Sequence, residues 1–149
     1  MVLKGKVLVT IQFACLAVLL FIPYSRKRTL ITDVTGSAFI LIAVIILAIA
    51  GLNLRPALTV MPEPKVGAPL ITNGIYKWIR HPMYLGVILI GMGLTLIKFS
   101  FIGAAVTCIL MVDLKIKYRY EDRLLLEKWP QARQYQERVG ALFPNIRGL

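Results

Sequence analysis

The sequence predicts an all-α integral membrane protein, with about four transmembrane helices and a cytoplasmic C-terminal amphipathic helix in a single membrane domain over residues 1–149. Three observations predict it. Val7–Pro23 and Val34–Leu54 each lack any charged residue, and each is long enough to cross a bilayer, which takes about 20 residues of helix. From Pro82 to Val112 the only charge is Lys98. The whole chain is 58% hydrophobic with a mean hydropathy of +0.73, more apolar than a soluble domain of 149 residues.

The first span, residues 7–23, follows Lys4 and Lys6 as a secretory signal would, but Pro23-Tyr24-Ser25-Arg26 is a poor cleavage site, so an uncleaved span is expected. Residues 34–54 form the second span. The stretch from Pro82 to Val112 is too long for one crossing and short for two. It reads as a tight helical hairpin, 83–97 and 99–112, with Lys98 snorkelling at the turn. Between the second and third spans, residues 55–81 carry Pro56, Pro62, Pro64 and Pro69, a density that forbids a long helix. A connector of that length is uncommon unless it is functional. It ends in the turn signal Asn73-Gly74 and delivers Tyr76, Trp78 and Tyr84 to the depth of an interfacial aromatic belt. Residues 113–129 read as a charged helix leaving the membrane, on which Leu114, Tyr118, Glu121 and Leu125 share one stripe. Pro130 ends it, and residues 131–140 form a second short helix. Cys15 and Cys108 fall inside apolar runs and read as small buried hydrophobes.

The formal net charge of +11 would suggest nucleic acid on a soluble protein; here it reports topology. Four spans put the N-terminus, the connector and the C-terminal region on one side, with 14 of the 18 Lys and Arg residues. The positive-inside rule makes that side cytoplasmic, although Arg26-Lys27-Arg28 opposes it locally.

The candidate chemistry gathers on that side. Arg80-His81-Pro82 holds the only histidine of the chain. Proline suits the first turn of a helix, which places His81 at the N-cap beside unpaired amides and a positive dipole end. An arginine, a histidine and free amides suit a carboxylate or phosphate; a basic anchor for lipid phosphates is the alternative. Gly91-Met92-Gly93, further along the same helix, suits helix packing or the close approach of a flat ligand. Glu121-Asp122 is either a surface pair with Lys117 or an acidic group facing the bundle, able to hold a ribose hydroxyl or an ammonium. No Cys/His cluster suggests a metal, no phosphate-loop motif is present, and Ser25 and Ser100 fall on the side opposite His81.

The order Arg80-His81-Pro82-x-Tyr84-x-Gly86, a glycine-containing span, Glu121-Asp122-x-x-Leu125, Tyr135 and Phe143-Pro144 resembles the isoprenylcysteine carboxyl methyltransferase and phospholipid methyltransferase superfamily. The resemblance covers about residues 70–145. It implies an integral membrane enzyme that uses S-adenosylmethionine as methyl donor and a lipophilic acceptor, such as a prenylated cysteine carboxylate or a lipid amine. It further implies that His81, Tyr84, Gly86, Gly91, Gly93, Glu121 and Asp122 bind the cofactor, with Arg80 and Glu121 the best candidates for a catalytic role. No metal and no nucleic acid are implied. The family usually has two glutamates where this chain has Glu121-Asp122, and Phe-Gly before two tyrosines where this chain has Trp129-Pro130, Arg133 and Tyr135.

Two other readings compete. Membrane reductases of the sterol-reductase type share a His-Pro-x-Tyr element and use NADPH, but usually carry asparagine at the position of Met83 and an acid at that of Val87. The other is a non-enzymatic four-span protein, such as a small transporter or assembly subunit; a transporter usually shows polar groups mid-span, whereas here they gather at one face.

Overall fold

Local chemistry sets where the helices begin and end. In the computed structural model, which describes residues 2–55, 59, 61, 67 and 69–145, five α-helices follow in order: α1 (Val2–Phe21), α2 (Leu30–Leu54), α3 (Pro82–Lys98), α4 (Phe101–Lys128) and α5 (Ala132–Arg138). A 3-10 turn, Gly74–Lys77, precedes α3. Pro56, Pro62 and Pro64 of the connector lie outside the described residues.

α2 starts four residues before the expected span because Thr29 and Thr32 form a capping box: the Thr32 N–H donates to Thr29 Oγ1 at 3.3 Å and the Thr29 N–H to Thr32 Oγ1 at 3.0 Å. α3 begins at Pro82 with His81 as its N-cap, as the sequence implies. It ends at Phe99, which adopts φ 47, ψ 54, a left-handed conformation costing a non-glycine residue about 1–2 kcal/mol. Ser100 then caps α4 through the Gly103 N–H at 3.2 Å. α4 runs on without interruption for 28 residues, joining the expected fourth span to the expected charged helix, because no glycine or proline occurs between Gly103 and its end at Lys128. It stops just before Pro130.

Lys98 differs from its expected role. It is 6% exposed, and its ammonium donates to the carbonyls of Leu20 at 2.9 Å and Ile22 at 2.6 Å. Those are orphan carbonyls at the end of α1, so a buried cation caps that helix instead of snorkelling outward. The Ser25 N–H returns a bond to the Lys98 carbonyl at 3.0 Å. Cys108 also differs, lying exposed on the outside of α4, whereas Cys15 is buried as expected.

The four long helices alternate in direction. One end of the bundle gathers Phe21, Lys98 and Ser100. The other gathers Lys4, Asn53, His81 and Glu121, joined by an Ile75 N–H to Asn53 Oδ1 bond of 2.9 Å and by Lys4 above the Tyr120 ring. α3 packs between α2 and α4, and α4 packs on α1. The α2–α3 crossing is close because it is made of glycine: a Cβ on Gly93 would lie 2.7 Å from the Gly36 carbonyl oxygen, and one on Gly36 2.7 Å from that of Gly93. Cys15, Leu19, Ile88, Leu110 and Leu114 form the core between α1, α3 and α4.

The expectation of four spans meets, among the described residues, two helices that are long and apolar enough by themselves, Leu3–Phe21 and Leu30–Leu54. α3 is a shorter apolar helix, and α4 brings Asp113, Lys115 and Lys117 into its middle. The outward faces of α1 and α2 are nonetheless strongly apolar, with Phe13, Phe21, Leu30, Ile31 and Leu41 all exposed.

Two stability predictions follow from these contacts. Gly93→Ala is expected to cost about 1–3 kcal/mol by overpacking, whereas Gly51→Ala, with nothing within 4 Å of the added Cβ, should leave stability equal or slightly higher. Thermal midpoints of the purified variants in detergent decide this; equal loss in both would remove the close-crossing account. Lys98→Met should lower stability by about 2 kcal/mol, since it strips charged donors from two carbonyls, and an unchanged midpoint would overturn that.

Candidate active site

The site is built where the start of α3 meets the last third of α4. Adjacent residues on a helix point about 100° apart, so Glu121 and Asp122 reach different neighbours. Asp122 faces the segment entering α3. Its Oδ2 lies 3.1 Å from Arg80 Nη1, and its Oδ1 lies 2.9 Å from His81 Nε2. Glu121 faces Tyr84, whose hydroxyl donates to Oε2 at 2.6 Å, and the same oxygen is 3.7 Å from His81 Nδ1. Both imidazole nitrogens therefore look at carboxylates. The His81 ring is stacked with Tyr84 and with Tyr118, each at 5.4 Å between centroids. Its burial (4% exposed) follows from this sandwich.

The tail fixes the backbone at this corner. Arg80 N–H donates to the Gly140 carbonyl and His81 N–H to that of Ala141, both at 2.9 Å, next to a parallel bridge between Ile79 and Gly140. Gly140 leaves no space for a side chain, since a Cβ there would collide with the Phe143 carbonyl. α5 is tied to the same place: Gln136 Nε2 donates to the Asp122 carbonyl at 2.8 Å, and the Tyr135 hydroxyl to the Tyr76 carbonyl at 2.7 Å. Tyr76 itself is buried, not part of an exposed aromatic belt, while Trp78 is 48% exposed and fits one.

These side chains form the polar end of a cavity of about 590 Å³. Arg80, His81, Tyr84, Lys117 and Glu121 stand on one side. The other walls are apolar: Phe13 and Leu16 of α1, Leu47 and Leu54 of α2, Met83 and Val87 of α3, then Leu125 and Trp129. A second cavity of about 660 Å³ lies outside it, bounded by Lys77, Trp78, Gln131, Gln134 and Arg138. Leu70 and Tyr135 belong to both walls.

Of the residues singled out from sequence, Arg80, His81, Tyr84, Glu121 and Asp122 come together. Gly86, Gly91 and Gly93 do not reach the cavity. Gly86 lies against Leu47 and Ala43, Gly91 against Leu110 and Thr107, and Gly93 against Gly36, all at helix crossings. Lys117 is not the surface partner of Glu121; it is 1% exposed and donates to Gln12 Oε1 at 2.7 Å. Gln12 and Lys117 were readable as polar interruptions: Gln12 in an otherwise uncharged run, and Lys117 one turn before Glu121 on the same stripe.

Glu121 keeps 29% of its side-chain surface open and lines the cavity. Enclosure raises its carboxyl above the ordinary range, opposed by His81, by the Tyr84 hydroxyl and by Lys117, and assisted by Asp122. A carboxyl raised in the folded state contributes stability fully below the ordinary glutamate range, and that contribution is lost as pH rises through the folded value. Thermal unfolding of Glu121→Gln beside the unaltered chain should therefore show the variant gaining relative stability from pH 5 to pH 8. A difference that stays flat with pH would contradict the raised value.

Comparisons with known proteins bear on this geometry. The model of the isoprenylcysteine carboxyl methyltransferase (ICMT) family matches residues 34–128, a stretch that contains Arg80, His81, Tyr84, Glu121 and Asp122. Over 81 residues the chain is 35% identical to the cobalt-zinc-cadmium resistance protein CzcN of Cupriavidus metallidurans, a match covering 52% of this chain and 36% of that protein. The chain thus spans little more than a third of that relative's length. Neither the reductase nor the non-enzymatic reading is favoured by these matches.

Proposed function

The chain belongs to the isoprenylcysteine carboxyl methyltransferase family, and from that premise we propose that it transfers a methyl group from S-adenosylmethionine to a lipophilic acceptor, an isoprenylcysteine-like carboxylate or a lipid amine, at the cytoplasmic face of a membrane. One observation carries the reading. Arg80, His81, Tyr84 and the Glu121 carboxylate form the polar end of a cavity whose other walls are mostly apolar, and Asp122 braces Arg80 and His81 from behind. Such a cavity suits a reaction between a water-soluble and a lipid-borne reactant. The neighbouring cavity, which shares Leu70 and Tyr135 with it and is bounded by Lys77, Gln131, Gln134 and Arg138, offers the first of these an approach.

The residues present fit the donor. Arg80 Nε is buried with no hydrogen-bond partner among the described residues, a donor suited to the carboxylate of the amino-acid end. The Glu121 carboxylate, on the cavity wall, can accept from the ammonium of that end. The volume lies within the usual range for cofactor sites, about 300–1,000 Å³. S-adenosylmethionine, when bound, supplies a methyl group on a good neutral leaving group, so the protein's work is alignment. Arg80 and His81 hold that end in one orientation because Asp122 holds each of them. Phe13, Leu16, Leu47 and Leu54 hold the tail of the acceptor and exclude water.

We place all four long helices across the bilayer in this reading. α4 then carries Asp113 and Lys117 inside the bundle, and the basic termini and connector lie in the cytoplasm.

Calorimetric titration of the detergent-purified protein with S-adenosylhomocysteine tests the proposal, with NADPH as control. Saturable micromolar binding is expected, reduced at least tenfold in His81→Ala and Glu121→Ala, with none for NADPH. Absence of binding to the unaltered protein would sink the methyltransferase reading, and binding of NADPH alone would replace it with the reductase.

A further inference from the structure

The core of the bundle contains a cation that this reading does not use. Lys117 on α4 is 1% exposed, the largest fully buried side chain among the described residues. Its ammonium donates to Gln12 Oε1 of α1 at 2.7 Å and lies 5.3 Å from the centre of the Tyr84 ring. One turn away on either side of it, α4 carries Asp113 and Glu121. Asp113 is 4% exposed, and neither carboxylate oxygen has a hydrogen bond among the described residues. Desolvating an ammonium is costly, and a structural role alone would be met by a leucine of similar volume. What distinguishes this lysine is where its neighbours lead. Gln12, Tyr84 and Glu121 all stand on the cavity wall, and Tyr84 is bonded to Glu121.

We propose that Lys117 is a positioning residue for the reaction: anchored by Gln12, it holds the Tyr84–Glu121 pair at the cavity wall, and through it α1 becomes part of the active site. The family match begins at residue 34, so it implies nothing about this contact with α1. The proposal rests on the methyl-transfer reading for what Glu121 holds, but not for the coupling itself. The cation acts on Glu121 in two ways. Its contact with the Tyr84 ring limits where the phenol can point, and its charge favours the ionised carboxylate in an enclosed place that disfavours it. The other groups facing Glu121 are His81 and Tyr84 from the start of α3, Asp122 from α4 and Tyr76 from the 3-10 turn; α1 contributes the neutral Gln12.

The test is a pH titration of the isotope-labelled Glu121 carboxyl by NMR in detergent, its signal assigned by its loss in E121Q. K117M should move the Glu121 midpoint upward, K117R should leave it near that of the unaltered protein, and Q12L should move it in the same direction as K117M by less. A buried lysine that served only as a core anchor would change the thermal midpoint and leave the Glu121 titration where it was; that result in folded K117M overturns the proposal. Should K117M fail to fold, an unchanged titration in Q12L overturns it equally. A parallel titration with S-adenosylmethionine should show about tenfold weaker binding in K117M at neutral pH, largely restored in K117R. If the unaltered protein binds no S-adenosylmethionine, the methyl-transfer reading fails by itself, while the Glu121 midpoints still decide the role of Lys117.

Discussion

The carboxylate of Asp122 is the contact on which the rest of the site depends. It takes Arg80 on one oxygen and His81 on the other, while its own backbone carbonyl receives Gln136. A single residue thus joins α4, the entry to α3 and α5. Arg80 and Asp122 are largely buried, with side chains 13% and 14% exposed. Buried ion pairs add little net stability, because desolvation offsets attraction. Their effect is on geometry: with both oxygens engaged, His81 and Arg80 each have one low-energy arrangement, and the cavity they face has one shape.

The same economy recurs with the buried cations. Lys98 closes α1 at one end of the bundle by taking two of its orphan carbonyls. Lys117 meets α1 again near its middle through Gln12. α1 is otherwise attached by apolar contacts to α3 and α4 and by Lys4 above the Tyr120 ring, and these two lysines help to set its height and rotation. Glycine does the equivalent for α2 and α3, where Gly36 and Gly93 bring two backbones into contact and leave no freedom to slide. The cavity lies between elements located in this way, which is why apolar side chains from α1, α2 and α3 can form its walls without packing into it.

How much of this was legible in the chain varies with the physics involved. Pro82 after His81 set the start of α3 and the place of His81 as N-cap, because proline constrains its own backbone whatever surrounds it. The stripe of Leu114, Tyr118, Glu121 and Leu125 placed Glu121 inward, and Tyr118 did prove to stack on His81. Lys98 was misread because a charged residue at a turn has two low-energy outcomes, exposure or capture by carbonyls, and only the position of α1 selects between them. Gly91 and Gly93 were ambiguous for a similar reason: a missing side chain says that something comes close, not what.

The sequence by itself determined the all-helical class, the start of α3 at Pro82, and five residues that come together in the candidate site: Arg80, His81, Tyr84, Glu121 and Asp122. These follow from local backbone preference and from hydrophobic period, both of which act within a few residues. Only the tertiary structure decided that Asp122 serves Arg80 and His81 together, that Ile79–His81 pair with the tail at Gly140 and Ala141, and that Lys117 is buried against Gln12, 105 positions away in the chain. Those are contacts between distant segments, set by which helices lie side by side and at what height, and no local preference carries that information.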